Sequence, residues 1–152
     1  MSLVPTFLLL GLLMIFPAQV SSVTYINYDL WNVRYLVSKY PEPFDIAKMN
    51  ERCKVAGGYL FEINSEGEQW MLRDFLKLIG FVHNIVYTGV TDLGLEGQYY
   101  HYHTKKPMTN IVWQSGQPDN WQNKEHCTNL KEHGLNDIDC HRNARYICEI
   151  PR

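Results

Sequence analysis

The sequence has no large excess of one charge and lacks several motifs that mark enzymes or nucleic-acid-binding proteins. Its 14 Lys and Arg stand against 16 Asp and Glu, which gives a formal net charge of -2, and no long basic stretch occurs. Nucleic acids and anionic membranes attract concentrated positive charge, so neither is an expected partner. A Gly-rich phosphate loop and a nucleophile motif are also absent, so nothing of that kind points to an enzyme.

Internal repeats, low-complexity tracts and Asn-x-Ser/Thr sequons are absent too, so N-glycosylation of the chain is not expected. The 152 residues suffice for one domain with a proper core. Hydrophobic residues make up 45% of the chain, which excludes compositional disorder. Ten Tyr and four Trp suit a contact surface as well as a core.

The N-terminus has the pattern of a secretory signal peptide. Residues 7–16 are apolar, Pro17 ends the run, and the small residues Ser21 and Ser22 follow. The run is far shorter than the ~20 residues that a bilayer span needs. The residues before it include no Lys or Arg, which departs from the usual signal-peptide pattern. An uncleaved anchor is the alternative interpretation. We expect residues 1–22 to be removed and the remaining chain to be secreted into an extracellular fluid, without membrane insertion.

Four cysteines remain in that chain, at positions 53, 127, 140 and 148. An even number behind a signal peptide indicates disulfides, and three pairings are open. Economy favours a nested arrangement, in which a local Cys127–Cys140 loop lies inside a long Cys53–Cys148 closure. A zinc site made from all four is the alternative, but the sequence has no CxxC pair.

Hydrophobic periodicity predicts two helices in the first half of the chain. The first helix spans 44–55 and ends at the glycines that follow. The second begins after Ser65, which forms a capping box with Glu68, and ends at Gly80. Its apolar face repeats at helical spacing through Leu72, Phe75, Leu76 and Ile79.

Short strand-like runs dominate the rest of the chain. They are predicted at 59–63, 86–90, 98–102, 127–130 and 144–150, with an edge strand in the polar and aromatic segment 23–43. A long stretch rich in Pro, Asn, Gln and Gly lies between Tyr102 and Cys127, and long loops in small domains are usually functional. The expected fold class is α+β, with two helices and a mostly antiparallel sheet.

Side-chain oxygens concentrate in and after that polar loop. Three carboxylates and two amides fall within twenty-one positions, namely Gln117, Asp119, Glu125, Asn136 and Asp137. Calcium prefers such hard oxygen donors, whereas zinc prefers nitrogen and sulfur. A proline between the first two also allows a cis bond that would turn both toward one side.

At these residues the chain resembles the C-type lectin domains. The resemblance covers about 40–150 and rests on the following residues: Cys53, the strand at 86–92, Glu96-Gly97-Gln98, Trp113, Gln117-Pro118-Asp119, Glu125-His126-Cys127, Asn136-Asp137, Cys140 and Cys148-Glu149. It implies a C-type lectin-like fold, the pairs Cys53–Cys148 and Cys127–Cys140, and a lectin domain at 40–152 behind an N-terminal extension at 23–39.

The resemblance also implies the function of the polar loop. The oxygen donors at 117, 119, 125, 136 and 137 would form a sugar-binding calcium site, in which Gln-Pro-Asp goes with galactose-type and Glu-Pro-Asn with mannose-type sugars. Trp121 stands where galactose-binding members stack a ring on the sugar, and ordinary loop packing is its alternative role. A second, tentative calcium site would use Asp92, Glu96 and Asn120 together with Glu125.

Two departures from the family pattern affect the site. Leu135 replaces the usual Trp before Asn136-Asp137, at a position that we interpret as a packing one. The segment 129–136 is about one residue shorter than in typical members. We expect calcium binding to survive the first change, whereas the shorter segment would shift Asn136 slightly and so affect the affinity.

The expected function is therefore a calcium-dependent, galactose-type lectin that recognises cell-surface or microbial glycans. Weak monosaccharide affinity would call for several copies, and no heptad stalk is present, so any homo-oligomer would use the domain surface or residues 23–43. The alternative is a C-type lectin-like domain that binds a protein ligand without sugar. A glycosidase is disfavoured, because carboxylates that ligate calcium are not free to serve as acid and base.

The histidines receive plain interpretations. His101 and His103 share one face of a predicted strand, but no third metal ligand is evident, so both are interpreted as exposed strand residues. His126 and His141 flank the calcium region and are interpreted as surface residues.

Overall fold

The computed structural model describes residues 24–30, 32–43 and 45–151, so the predicted signal peptide lies outside the described residues. Two α-helices are present there, α1 (Ile46–Val55) and α2 (Glu66–Leu78). The strands are β1 (Tyr25–Leu30), β2 (Val33–Ser38), β3 (Tyr59–Leu60), β4 (Val86–Thr91), β5 (Tyr100–His101), β6 (Cys127–Lys131), β7 (Gly134–Ile138) and β8 (Arg145–Pro151). None of the helices in this part of the chain has the length and apolar character to cross a membrane.

The strands form one mixed sheet in the order β1-β2-β8-β4-β6-β7, with β3 paired to β8 and β5 to β4. Every pairing is antiparallel except that of β4 with β8, which is parallel. The α+β class with two helices is confirmed. Strand β7 was not among the strands predicted from the sequence, although it carries two of the proposed ligands.

Helix α1 begins two residues later than position 44 because Asp45 caps it. The Asp45 carboxylate accepts a hydrogen bond of 2.8 Å from the backbone N–H of Lys48. After the helix, the chain packs tightly onto β8. A Cβ atom on Gly58 would lie 2.0 Å from the carbonyl oxygen of Glu149, so only glycine fits at this crossing.

Helix α2 confirms the predicted cap. Ser65 Oγ accepts a 3.1 Å hydrogen bond from the Glu68 N–H, while Glu68 Oε2 accepts one of 2.8 Å from the N–H of Asn64. The acidic side chain thus reaches one residue further back than in the simplest capping box. The apolar face is buried in the core at Leu72, Phe75 and Leu76.

The segment predicted to be one edge strand forms a hairpin of two. Strand β1 pairs with β2, and β2 pairs in turn with β8. Tyr35 and Val37 of β2 are buried in the core, and the ring of Tyr28 in β1 stacks on Phe75 of α2 with centroids 4.3 Å apart. Part of the expected N-terminal extension is therefore an integral part of the sheet.

Both disulfides have the nested pairing. Cys53 of α1 bonds to Cys148 of β8, 95 residues away, and Cys127 of β6 bonds to Cys140, 13 residues away. By loop-closure entropy the long bond stabilises the fold by about 4–5 kcal/mol and the short one by about 3 kcal/mol. The short bond also ties the start of β6 to the chain that leaves β7.

A buried carboxylate cluster lies where β8 meets α2. Glu149 is 6% exposed and accepts hydrogen bonds from the Tyr59 hydroxyl and the Glu62 N–H, each 3.4 Å long. Burial, followed by the negative charge of Glu68 and then that of Glu62, raises the pKa of Glu149 from about 4.5 to about 7. The folded state therefore favours the protonated form of this side chain.

We expect Glu149→Gln to remove a pH-dependent loss of stability. Between pH 4.5 and 7 the folded chain holds a proton on Glu149 that the unfolded chain has lost, so the wild-type free energy of unfolding falls as pH rises through this window. Above pH 7 the variant should be the more stable by about 3 kcal/mol, and the difference should vanish below pH 4.5. Urea unfolding from pH 4 to 8 measures this.

The matched control for this experiment is Glu51→Gln, at an exposed carboxylate on α1 that pairs with Lys54. Its curve should run parallel to that of the wild type. A Glu149→Gln curve that also runs parallel would contradict the assignment.

Candidate functional site

The side chain of Asp137 in β7 binds the backbone of the polar loop. Its side chain is fully buried, and its two oxygens accept hydrogen bonds from the N–H groups of Asp119 (3.1 Å) and Asn120 (2.7 Å). The Gln117 side-chain amide lies against Asp119 Oδ1 and Asp137 Oδ1, and it donates to both when its nitrogen is the atom that faces them. The Gln117–Pro118 peptide bond is cis, as predicted.

Three carboxylates converge at this point. One oxygen from each of Asp119, Glu125 and Asp137 lies within 4.8 Å of the other two. Burial, together with the negative charges of Asp137 and Asp119, raises the pKa of Glu125, although the hydrogen bond from the Trp121 N–H opposes this. Such mutual repulsion is relieved by a cation held between the carboxylates.

The Asn120 side chain orders the turn between these acids. Asn120 has a left-handed backbone with φ of 43°, and its Oδ1 accepts a 3.1 Å hydrogen bond from the Glu125 N–H. The Trp121 N–H donates to Glu125 Oε2 at 3.1 Å. Glu125 is thus held through both its backbone and its side chain, which positions it toward the other two acids.

Asn136 lies on β7 directly opposite Asn129 of β6. Its amide nitrogen donates to Asn129 Oδ1 at 3.2 Å and to the Asp137 carbonyl. Because the nitrogen is engaged, the amide oxygen is the atom that can serve a cation. Gln117, Asp119 and Glu125 thus lie next to Asp137, and Asn136 adjoins them on the same strand as Asp137.

Trp121 begins a single 3₁₀ turn (Trp121–Asn123) and is 61% exposed. Few large apolar side chains of this protein are as open to solvent. Its backbone contact with Glu125 keeps it beside the carboxylates. Most of the Trp121 side chain is therefore not buried in the protein and is open to contact with a ligand.

Leu135 is completely buried, which agrees with the interpretation of this position as a packing one. Its backbone bridges to Trp113, and its N–H donates to the Val112 carbonyl at 2.9 Å. The neighbouring β6–β7 connection is a tight turn, with Lys131 paired to Gly134. The smaller side chain and the short connection leave Asn136 and Asp137 on a regular strand.

Two residues of the predicted second calcium site belong to one cluster of ligand atoms. Asp92 and Glu96 lie close to each other, but the third group in their cluster is His126, and all three offer ligand atoms within 4.8 Å. Asn120 instead uses its side-chain oxygen on the Glu125 backbone. His126 was interpreted from the sequence as a surface residue, and no signal in the sequence pointed to its contact with Asp92 and Glu96.

The pair His101 and His103 forms no metal cluster with other described residues. His101 lies in β5 and is 6% exposed, so the expectation of an exposed strand histidine is wrong for this position. The ring of His103 stacks on Tyr59 with centroids 4.4 Å apart. Both rings therefore serve packing.

We expect Asp137→Ala to release the loop. Removing the carboxylate leaves the N–H groups of Asp119 and Asn120 without their acceptor, which should cost about 3 kcal/mol of stability, since each hydrogen bond to a charged group contributes about 1.5–3 kcal/mol. Hydrogen exchange by NMR should show faster exchange of these two amides. The control is Asp139→Ala, since Asp139 instead accepts from the N–H of His141. Unchanged exchange at Asp119 and Asn120 would refute this role of Asp137.

Comparisons with known proteins agree with this architecture. The family model described as "Lectin C-type domain" matches residues 42–150. Salivary C-type lectin 2 of Aedes albopictus is 29% identical over 125 residues, which cover 74% of this chain and 83% of the relative. The mannose-binding protein of Gallus gallus is 31% identical over 100 residues, which cover 64% of this chain and 37% of the relative.

A solved structure has the same fold. The carbohydrate-recognition domain of the mouse scavenger receptor C-type lectin superposes with a TM-score of 0.71 at 25% identity, over 83% of this chain and 94% of that one. The aligned part spans only about a third of the length of some curated relatives, with 35% of human collectin-10 and 37% of bovine collectin-11. With the family model matching 42–150 and the fold shared, the chain belongs to the C-type lectin domain family.

Proposed function

We propose that the chain is a secreted, calcium-dependent lectin with a preference for galactose-type sugars. The observation that carries the proposal is the convergence of three carboxylates, from Asp119, Glu125 and Asp137, within 4.8 Å beside an exposed Trp121. In this proposal the ion is held by Gln117, Asp119, Glu125, Asn136 and Asp137.

The donor set suits calcium. Two ligands on opposite sides of a calcium ion stand about 5 Å apart, since each bond is about 2.3–2.6 Å long, and the three carboxylate oxygens fall within that span. The set contains carboxylates and amides but neither imidazole nor thiolate, which disfavours zinc. Calcium, when bound, would supply a positive docking point for two neighbouring sugar hydroxyls.

The preference for galactose rests on the order of acid and amide around Pro118. A carboxylate accepts hydrogen bonds, whereas an amide nitrogen donates them. Gln117 contributes the amide and Asp119 the carboxylate, which is the reverse of the mannose-type order. One relative, the mannose-binding protein of Gallus gallus, is named for a different sugar. The proposed preference for galactose therefore rests on the order of residues 117 and 119 and not on similarity to relatives.

Trp121 supports the same choice of sugar. A ring with 61% of its surface exposed can cover the apolar face of a galactose-type sugar, and its burial there gains roughly 1 kcal/mol beyond area effects. The backbone hydrogen bond to Glu125 fixes the ring next to the acids, which limits the entropy lost on binding. Trp121 thus acts as a sugar contact and not as an ion ligand.

We further propose that residues 1–22 are a signal peptide and that the lectin domain occupies 40–152. Glycans on cells or microbes are the proposed partners, and a weak single site would gain avidity by assembly of several copies. The rival function is a protein-binding domain without sugar. The close grouping of acids favours the lectin, because a protein interface gains nothing from carboxylates that repel one another.

The first test is affinity chromatography on galactose coupled to polyacrylamide beads. We expect the protein to be retained in calcium and to elute both with EDTA and with free galactose, since the proposed ion and sugar share one site. The same beads without coupled galactose serve as the control resin. Flow-through in calcium would favour the protein-binding rival.

The second test is the double exchange Gln117→Glu with Asp119→Asn. It keeps the number of oxygens and the total charge but reverses donor and acceptor around Pro118, so glycan-array binding should shift from galactose-type toward mannose-type sugars by about tenfold in relative affinity. The control is Asn123→Asp with Gln122→Asn, in the neighbouring turn. An unchanged sugar profile with intact calcium binding would contradict the roles given to residues 117 and 119.

A further inference from the structure

A second cluster of ligand atoms lies beside the proposed sugar site. His126 Nδ1 is 3.1 Å from Asp92 Oδ1 and 3.5 Å from Glu96 Oε2. The three groups come from two separate segments, the end of β4 with its following turn and the residue just before β6. A grouping of one imidazole with two carboxylates differs from the oxygen-only set at Asp119, Glu125 and Asp137.

The backbone holds this cluster in place. Asp92 is fully buried, and its Oδ2 accepts a 2.8 Å hydrogen bond from the Gly97 N–H, which leaves Oδ1 toward the imidazole. The carbonyl of His126 accepts from the Asp92 N–H at 3.3 Å and from the Thr91 hydroxyl. These bonds fix both partners before any ligand arrives, as supporting hydrogen bonds do in metal sites.

We propose that His126, Asp92 and Glu96 form a binding site for a zinc-class transition-metal ion. Imidazole nitrogen is a preferred ligand of zinc, whereas calcium sites are built from oxygen. In a tetrahedral zinc site with bonds of about 2.0–2.1 Å, neighbouring donors lie about 3.3 Å apart. The two donor separations at His126, 3.1 and 3.5 Å, bracket that value.

Charge and access agree with such an ion. Two carboxylates and a neutral imidazole offset the charge of a divalent cation. The side chains of His126 and Glu96 are 31% and 59% exposed, so an ion can enter from solvent and water can complete its coordination. Asp92, the fully buried member, anchors the site from the protein side.

The imidazole also makes this site chemically different from the second calcium site that the sequence predicted at Asp92, Glu96 and Asn120. Asn120 Oδ1 already accepts a hydrogen bond from the Glu125 N–H, and the place near the two acids is taken by a nitrogen donor. Glu125 and His126 are adjacent and join different clusters. The zinc-class site can therefore be loaded independently of the sugar site.

The test is zinc titration of the chelator-stripped chain by isothermal calorimetry, without calcium or sugar. We expect one zinc ion per chain, and an affinity at least roughly tenfold weaker in His126→Ala, since loss even of a group that only supports a ligand costs about 10–100-fold. Cobalt loading of the wild type should give the visible absorption bands of a tetrahedral site, and His126→Ala should lose them.

The matched control is His141→Ala. His141 Nδ1 is also 3.1 Å from a carboxylate, that of Asp139, but it has only this one acid and is 80% exposed. This variant should keep wild-type zinc affinity. Asp119→Asn, which removes the negative charge of one proposed ligand in the oxygen-only site, should also keep it, so failure here is distinguishable from failure of the lectin proposal.

A third variant separates loss of the ligand from loss of the fold. His126→Asp replaces nitrogen with oxygen and should lower zinc affinity while raising affinity for calcium. Zinc binding that is equal in the wild type and His126→Ala, or that falls as much in His141→Ala, would overturn the proposal. So would zinc binding that disappears in Asp119→Asn.

Discussion

The buried carboxylate of Asp137 is the interaction on which the functional face depends. A charged group without solvent contact is tolerated only when its oxygens are hydrogen-bonded, and here the N–H groups of Asp119 and Asn120 satisfy them. The same bonds attach an irregular loop to the regular strand β7. The loop thereby takes its shape from the sheet, although it contains almost no secondary structure of its own.

The scaffold makes this attachment rigid. Strand β7 pairs with β6 along its whole length, and the Cys127–Cys140 disulfide joins the first residue of β6 to the chain just after β7. Strand β6 pairs in turn with β4, whose end is bonded to the carbonyl of His126. Residues from three distant parts of the sequence therefore meet at fixed positions, which is the preorganisation that ligand binding requires.

Two ligand clusters of different chemistry stand side by side because two neighbouring residues of the chain join different clusters. Glu125 lies with Asp119 and Asp137, and His126 lies with Asp92 and Glu96. One cluster offers oxygen atoms only, and the other includes a nitrogen. The choice between hard and softer cations follows from that single difference.

The sequence by itself determined the features that local chemistry controls. The cap at Ser65, the apolar face of α2, the nested cysteines and the family resemblance at Gln117-Pro118-Asp119 were all readable from residue type and spacing. The α+β class and both disulfides are confirmed, while the roles of the individual site residues stay predictions.

Only the tertiary structure decided which oxygen and nitrogen atoms meet. It placed Asn136 and Asp137 on the unpredicted strand β7, drew β1 and β2 into the sheet, and brought His126 next to Asp92 and Glu96. These outcomes depend on strand register and on backbone hydrogen bonds between segments far apart in the chain. Register sets the face on which each side chain lies, and a single sequence does not specify it locally.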